Sequence, residues 1–79
     1  MDEIGEYRKA ALRLAVVKHL GRGEGFSAKI PGFAGLVVFG DSKRQVLAEL
    51  ESALSGWIKI SLRRGDGLPA LHGELARTH

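Results

Sequence analysis

The chain has 79 residues, no cysteine and a formal net charge of +3. That length allows one domain, residues 1–79, with a thin core, and an apolar share of 44% is too high for a disordered chain. The missing cysteine excludes disulfide staples and thiolate metal sites. No apolar run approaches the roughly 20 residues of a membrane span, and the acidic start, Met1-Asp2-Glu3-Ile4-Gly5-Glu6, is unlike a signal peptide. The expected location is the cytoplasm, with no membrane partner. The basic residues, from Arg8 to Arg77, are scattered rather than gathered in a stripe, so they read first as surface charge.

Ile4, Tyr7 and Ala11 fall at helical spacing and predict a short helix over about residues 2–11, weakened by Gly5. From Leu12 the pattern alternates. Leu12, Leu14 and Val16 oppose Arg13, Ala15 and Val17, which predicts a strand over about 12–20. A continuous helix is the alternative, because Ala, Leu, Arg and Lys all favour one. Gly21-Arg22-Gly23-Glu24-Gly25 then decides for a hairpin turn. The same glycines lack the spacing, the Lys-Ser/Thr and the following helix of a phosphate loop.

Phe26, Ala28 and Ile30 share one face of a second strand, about 26–30. Pro31-Gly32-Phe33-Ala34-Gly35 turns the chain into a third, about 36–39, apolar on both faces. Ser42-Lys43-Arg44-Gln45 has the form of a capping box. Behind it, Val46, Leu47, Leu50, Leu54, Trp57, Ile58 and Leu62 recur by threes and fours, predicting a helix over about 42–64 stopped by Gly65. Leu54 and Trp57 are expected on its buried face. Residues 65–79 are a tail, with a short fourth strand around 70–75. The expected class is α+β: a three-stranded antiparallel meander plus the short fourth strand, one long helix on one face, and a short N-terminal helix.

The inventory for catalysis is poor. His19, His72 and His79 are not spaced with acids or each other as metal ligands are. Glu49 and Glu51 read as solubilising charge, Glu24 sits at a hairpin tip, and Asp41 sits at a helix entrance. No nucleophile–base pair or carboxylate pair is legible. No catalytic residue, cofactor or metal is assigned, and the chain reads as a binding protein rather than an enzyme.

Four ordered segments resemble the HicB-like antitoxins of bacterial toxin–antitoxin pairs. They are Tyr7 with Ala10-Ala11-Leu12; Gly25 to Gly35 with its Pro-Gly-x-x-Gly turn; Gly40-Asp41-Ser42 with Val46 to Leu54; and Trp57-Ile58 with Arg64-Gly65-Asp66-Gly67-Leu68-Pro69. Together they cover about residues 6–74. The resemblance implies a partly degraded RNase H-like fold without its acidic site. It also implies a partner, a HicA-like toxin that cleaves RNA and that the antitoxin masks. Many such antitoxins add a C-terminal DNA-binding domain. With the sequence ending at His79, DNA binding is not expected. Lys43 and Arg44 depart from the acids that often stand there. Two other roles fit the residues: an orphan oligomeric domain, or a small basic RNA-binding domain.

One helix covers one face of a sheet, yet these strands are apolar on both. Val37 and Phe39 point away from Leu36 and Val38. An uncovered apolar face marks an interface, so a homo-oligomer is expected, a dimer or a dimer of dimers. The candidate interface residues are Val37, Phe39, Val17 and Tyr7.

Overall fold

The computed structural model describes residues 3–71. The element order is α1 (Glu3–Arg13), β1 (Val16–His19), β2 (Phe26–Lys29), β3 (Val37–Gly40) and α2 (Lys43–Arg64). The strands form an antiparallel meander in the order β1-β2-β3. Val17, Ala28 and Val38 stand side by side in one row, and Val16, Lys29 and Val37 in the next. The α+β class, with a short first helix and a long last one, is the one the sequence predicts.

The long helix begins and ends where its sequence says. Ser42 takes an extended backbone, and its side-chain oxygen accepts the Gln45 backbone N–H at 3.0 Å. Gln45 returns a bond, accepting the Asp41 backbone N–H at 2.9 Å. The box therefore closes one residue earlier than the usual reciprocal pair. At the other end Gly65 turns left-handed, at φ 78°, and donates its N–H to the Leu62 carbonyl. The Asp66 N–H reaches back to the Ser61 carbonyl. This double bond pattern satisfies carbonyls that the helix end would leave orphaned.

Between these caps Val46, Leu50, Leu54 and Ile58 form a fully buried stripe that rests on β2 and β3. They meet Ala28, Ile30, Phe33 and Leu36 from the sheet and its second loop. Burying each large side chain contributes about 1.5–3 kcal/mol against the entropy of ordering the chain. α1 packs against α2 and adds Ala10 and Ala11 to the same core. Both helices thus belong to one layer. The short first helix does not shield the second face of the sheet.

An aromatic chain ties that layer to the β2–β3 loop. The loop is two successive turns, with Phe33 N–H bonded to the Ile30 carbonyl and Leu36 N–H to the Phe33 carbonyl. They drive Phe33 inward between Tyr7 (centroids 6.2 Å apart) and Trp57 (4.8 Å). Trp57 Nε1 donates to the Ala34 carbonyl at 2.9 Å. Leu54 lies on the buried face as expected. Trp57 is only half-buried and packs on the loop rather than on the strands.

Two boundaries differ from the sequence reading. α1 runs on to Arg13, and the N–H groups of Leu14 and Ala15 bond to the carbonyls of Ala11 and Leu12, tightening the last turn. The first strand therefore starts at Val16 rather than Leu12. Packing of Ala10 and Ala11 against α2 settles the contest between the helix preference of Ala10-Ala11-Leu12-Arg13 and the apparent alternation. Ala70 and Leu71 are not in a strand. The rest of the expected fourth strand, with His72 and His79, lies outside the described residues.

Candidate protein-interaction face

The antiparallel register sorts the sheet into two faces. On the covered side Val17, Ala28 and Val38 look toward α2, and Ala28 is buried. On the other side the rows read Val16-Lys29-Val37 and Lys18-Ser27-Phe39. No described element lies over them. Val16 is 47% exposed, Val37 48% and Phe39 64%. A large aromatic two-thirds open to water, on the same face as the exposed Val37, costs apolar exposure that folding alone does not require.

The face is also electrostatically one-sided. Its charged residues are Lys18 and Lys29, and its rows contain no acid. It is therefore an apolar surface studded with ammonium donors. It suits an apolar patch that brings hydrogen-bond acceptors.

The edges of the sheet differ. At β1 the outer residues include Lys18 and His19, and charge of this kind guards an edge against pairing. At β3 the run Val-Val-Phe-Gly has no charge and no proline. Main-chain direction follows from the hairpin. The Leu20 N–H bonds the Gly25 carbonyl at 2.9 Å, so Lys18–Ser27 and Val16–Lys29 are the directly bonded pairs of β1 and β2. The N–H and C=O groups of Phe26 and Ala28 then serve β3, through Gly40 and Val38. This leaves the main-chain groups of Val37 and Phe39 pointing out of the edge.

One close approach holds that corner. Gly25 has φ +84°, and a Cβ there would lie 2.5 Å from the Gly40 carbonyl oxygen. A Cβ on Gly40 would in turn sit 3.1 Å from the Val46 backbone nitrogen. The end of β3 is thus pressed between the first hairpin and the start of α2, which fixes how Phe39 is presented.

The four candidate interface residues fall in different places. Val37 and Phe39 are on the open face. Val17 is on the covered face, across from Ala28, half-buried against the core. Tyr7 is in the helix layer, half-buried, and its hydroxyl donates to the Pro69 carbonyl. Burial raises its phenol above the ordinary value. It ties α1 to the segment after α2. Val16 is the residue the sequence reading missed. Counting back from the glycine turn, 20 opposite 25 and 16 opposite 29, places it with Lys29 and away from Ala28.

Two shallow grooves flank the second loop. One runs along Lys29 to Val37, and the other lies between Gly32, Trp57, Ser61 and Leu68. Neither gathers titratable side chains that would act on a substrate. Among the described residues no group of three or more His, Asp or Glu side chains could hold a metal ion. No helix among them is long and apolar enough to cross a membrane.

Comparison with known proteins gives the same fold and places the sequence. The crystal structure of TTHA0281 from Thermus thermophilus is similar, with a TM-score of 0.80 and 28% sequence identity. The match covers 94% of this chain and 90% of that one. No curated protein matches. A family model described as UPF0150-like matches residues 6–69, from the middle of α1 to the carbonyl that Tyr7 holds, and so takes in the sheet, its open face and both caps of α2. On that span the chain belongs to the UPF0150-like family.

Proposed function

We propose that this chain is a non-enzymatic binding module, the antitoxin of a type II toxin–antitoxin pair that binds and masks a HicA-like, RNA-cleaving toxin. The observation that carries this reading is the open face of Val16, Val37 and Phe39, an apolar surface with no covering element among the described residues. Family membership is compatible with an antitoxin-like role, and the HicB-like segments of the sequence supply the finer assignment. Masking needs only steric cover of the toxin's RNA-binding surface, so a rigid sheet presenting an apolar patch suffices. Lys18 and Lys29 then donate to acceptors at the rim of the contact. The pair acts in the bacterial cytoplasm, where the toxin's substrates are.

The test is co-expression with a small HicA-like, RNA-cleaving protein. Growth arrest by that protein alone, relieved by this chain through a complex that survives purification, is the expected result. Arrest that the folded chain does not relieve, with no complex formed, contradicts the proposal.

A second reading has one observation in its favour. Phe39 stands in a row with Lys18 across Ser27, a row that holds no acid, an arrangement that stacks a base and neutralises phosphate. RNA binding by the isolated chain that weakens steeply with salt favours that reading instead.

A further inference from the structure

The groove beside the end of α2 holds polar groups that the described fold leaves unmatched. Val46, Leu50, Leu54 and Ile58 form the buried stripe of the helix, and Ser61 takes the next place on it, only 8% exposed. Among the described residues nothing bonds its hydroxyl, and a hydroxyl taken from water without a partner is costly. No described polar side-chain atom is both fully buried and unpartnered, so this one keeps its contact with the groove that Ser61 lines. Asp66 lines the same groove, and among the described residues its carboxylate has no ion pair, Arg63 and Arg64 included. Trp57, Leu68 and Pro69 supply apolar walls.

Three hydrogen bonds hold these walls in place. Trp57 Nε1 donates to the Ala34 carbonyl at 2.9 Å, and the Asp66 backbone N–H donates to the Ser61 carbonyl at 3.0 Å. The Tyr7 hydroxyl donates to the Pro69 carbonyl. Phe33 packs on Trp57, with ring centroids 4.8 Å apart, and steadies the indole further. A site whose walls are fixed beforehand loses little entropy when it binds. Because the indole N–H already has its acceptor, what Trp57 offers a ligand is its π surface.

We infer that this groove takes the arginine side chain of a partner protein. A guanidinium lies flat on an indole, whose ring quadrupole attracts it. Its planar fork pairs with a carboxylate through two parallel bonds, the role open to Asp66. That leaves N–H groups for the Ser61 hydroxyl to accept. The methylene stem is apolar and suits Leu68 and Pro69. An ammonium group lacks the plane and the fork. An anion would be repelled by Asp66, and a purely apolar group would leave both Asp66 and Ser61 unmatched. The groove is shallow, whereas a small free ligand is held by enclosure, so the arginine is one carried on a protein surface. The inference does not rest on the toxin reading, although a protein that binds RNA presents arginines for phosphate.

Trp57 is the single tryptophan of the chain, so its emission reports on the groove directly. Titrating the full chain to tens of millimolar with a capped Gly-Arg-Gly peptide should change that emission saturably. Asp66→Asn should weaken the binding about tenfold, and a capped Gly-Lys-Gly peptide should bind the parent chain about tenfold more weakly. Asp66 is exposed and only its backbone joins the cap of α2, so the variant keeps the fold. The absence of a saturable change overturns the site, and so does binding that the folded Asp66→Asn chain leaves at full strength. Equal binding of the two peptides overturns the guanidinium assignment. The chain has an arginine of its own at position 77. A response that emerges only in Arg77→Ala gives the groove to that arginine and overturns the partner. These titrations contain no toxin, so failure of the toxin reading leaves their outcome untouched.

Discussion

Val16 and Val17 are adjacent, identical in chemistry, and assigned opposite work by the fold. Val17 stands with Ala28 and Val38 under α2, where side chains are excluded from water. Val16 stands with Lys29 and Val37 on a face that no described element covers. Residues on the first face are held by packing, and changing them changes stability. Residues on the second are free of the core, and changing them should change association while leaving the chain folded.

The sharpest break in this comparison comes from the covered side. Leu54→Ala empties the centre of the α2 stripe, where Leu54 is fully buried among Leu50 and Ile58. The expected loss is about 2–5 kcal/mol by denaturant or thermal unfolding. That is a large share of a small domain's stability. Retained stability would mean that the stripe is not the core.

The next effect belongs to the corner joining the two sides. Gly25→Ala should cost about 1–3 kcal/mol, since the left-handed backbone and the Gly40 oxygen both oppose a methyl group. Gly23→Ala, also at positive φ but with nothing within 4 Å, is the control and should cost less. Equal costs would show that the close approach to β3 is unimportant.

A smaller effect reads the helix layer through Tyr7, the single tyrosine of the chain. Burial raises its phenol, so the folded chain holds this proton more tightly than the unfolded chain does. Its contribution to stability is full below the unfolded value of about pH 10 and is lost as pH rises through the raised folded value. Ultraviolet titration of tyrosinate should give a midpoint above 10 in the folded protein and an ordinary one in denaturant. Coincident midpoints would place Tyr7 in water rather than against Phe33.

The sequence shows α2 almost to the residue because every local signal there agrees. The Ser42–Gln45 box, the repeat by threes and fours, and the Gly65 stop all mark the same helix. Phe26, Ala28 and Ile30 are equally plain, since polar residues separate them. Leu12 to Val17 is ambiguous for a physical reason. Leu12 and Leu14 satisfy a strand's alternation, while Ala10 to Arg13 favour a helix. Only packing against α2 settles which prevails. The open face is half legible. Val37 and Phe39 follow from alternation once Leu36 is known to face the core. A Val-Val pair offers no polar neighbour to show which member faces water, and Val16 emerges only through its pairing with Lys29. Tyr7 could not be placed from sequence, because its partners, Phe33 and the Pro69 carbonyl, are remote along the chain.

The division of the sheet into a structural and a contacting face is tested most directly at Phe39. Phe39→Glu should melt within about 1 kcal/mol of the parent at low protein concentration, since surface changes away from packed features are small. The same variant should lose the ability to relieve growth arrest by the HicA-like toxin proposed as its partner. Full relief by the folded Phe39→Glu chain would contradict the account, because the open face would then take no part in binding.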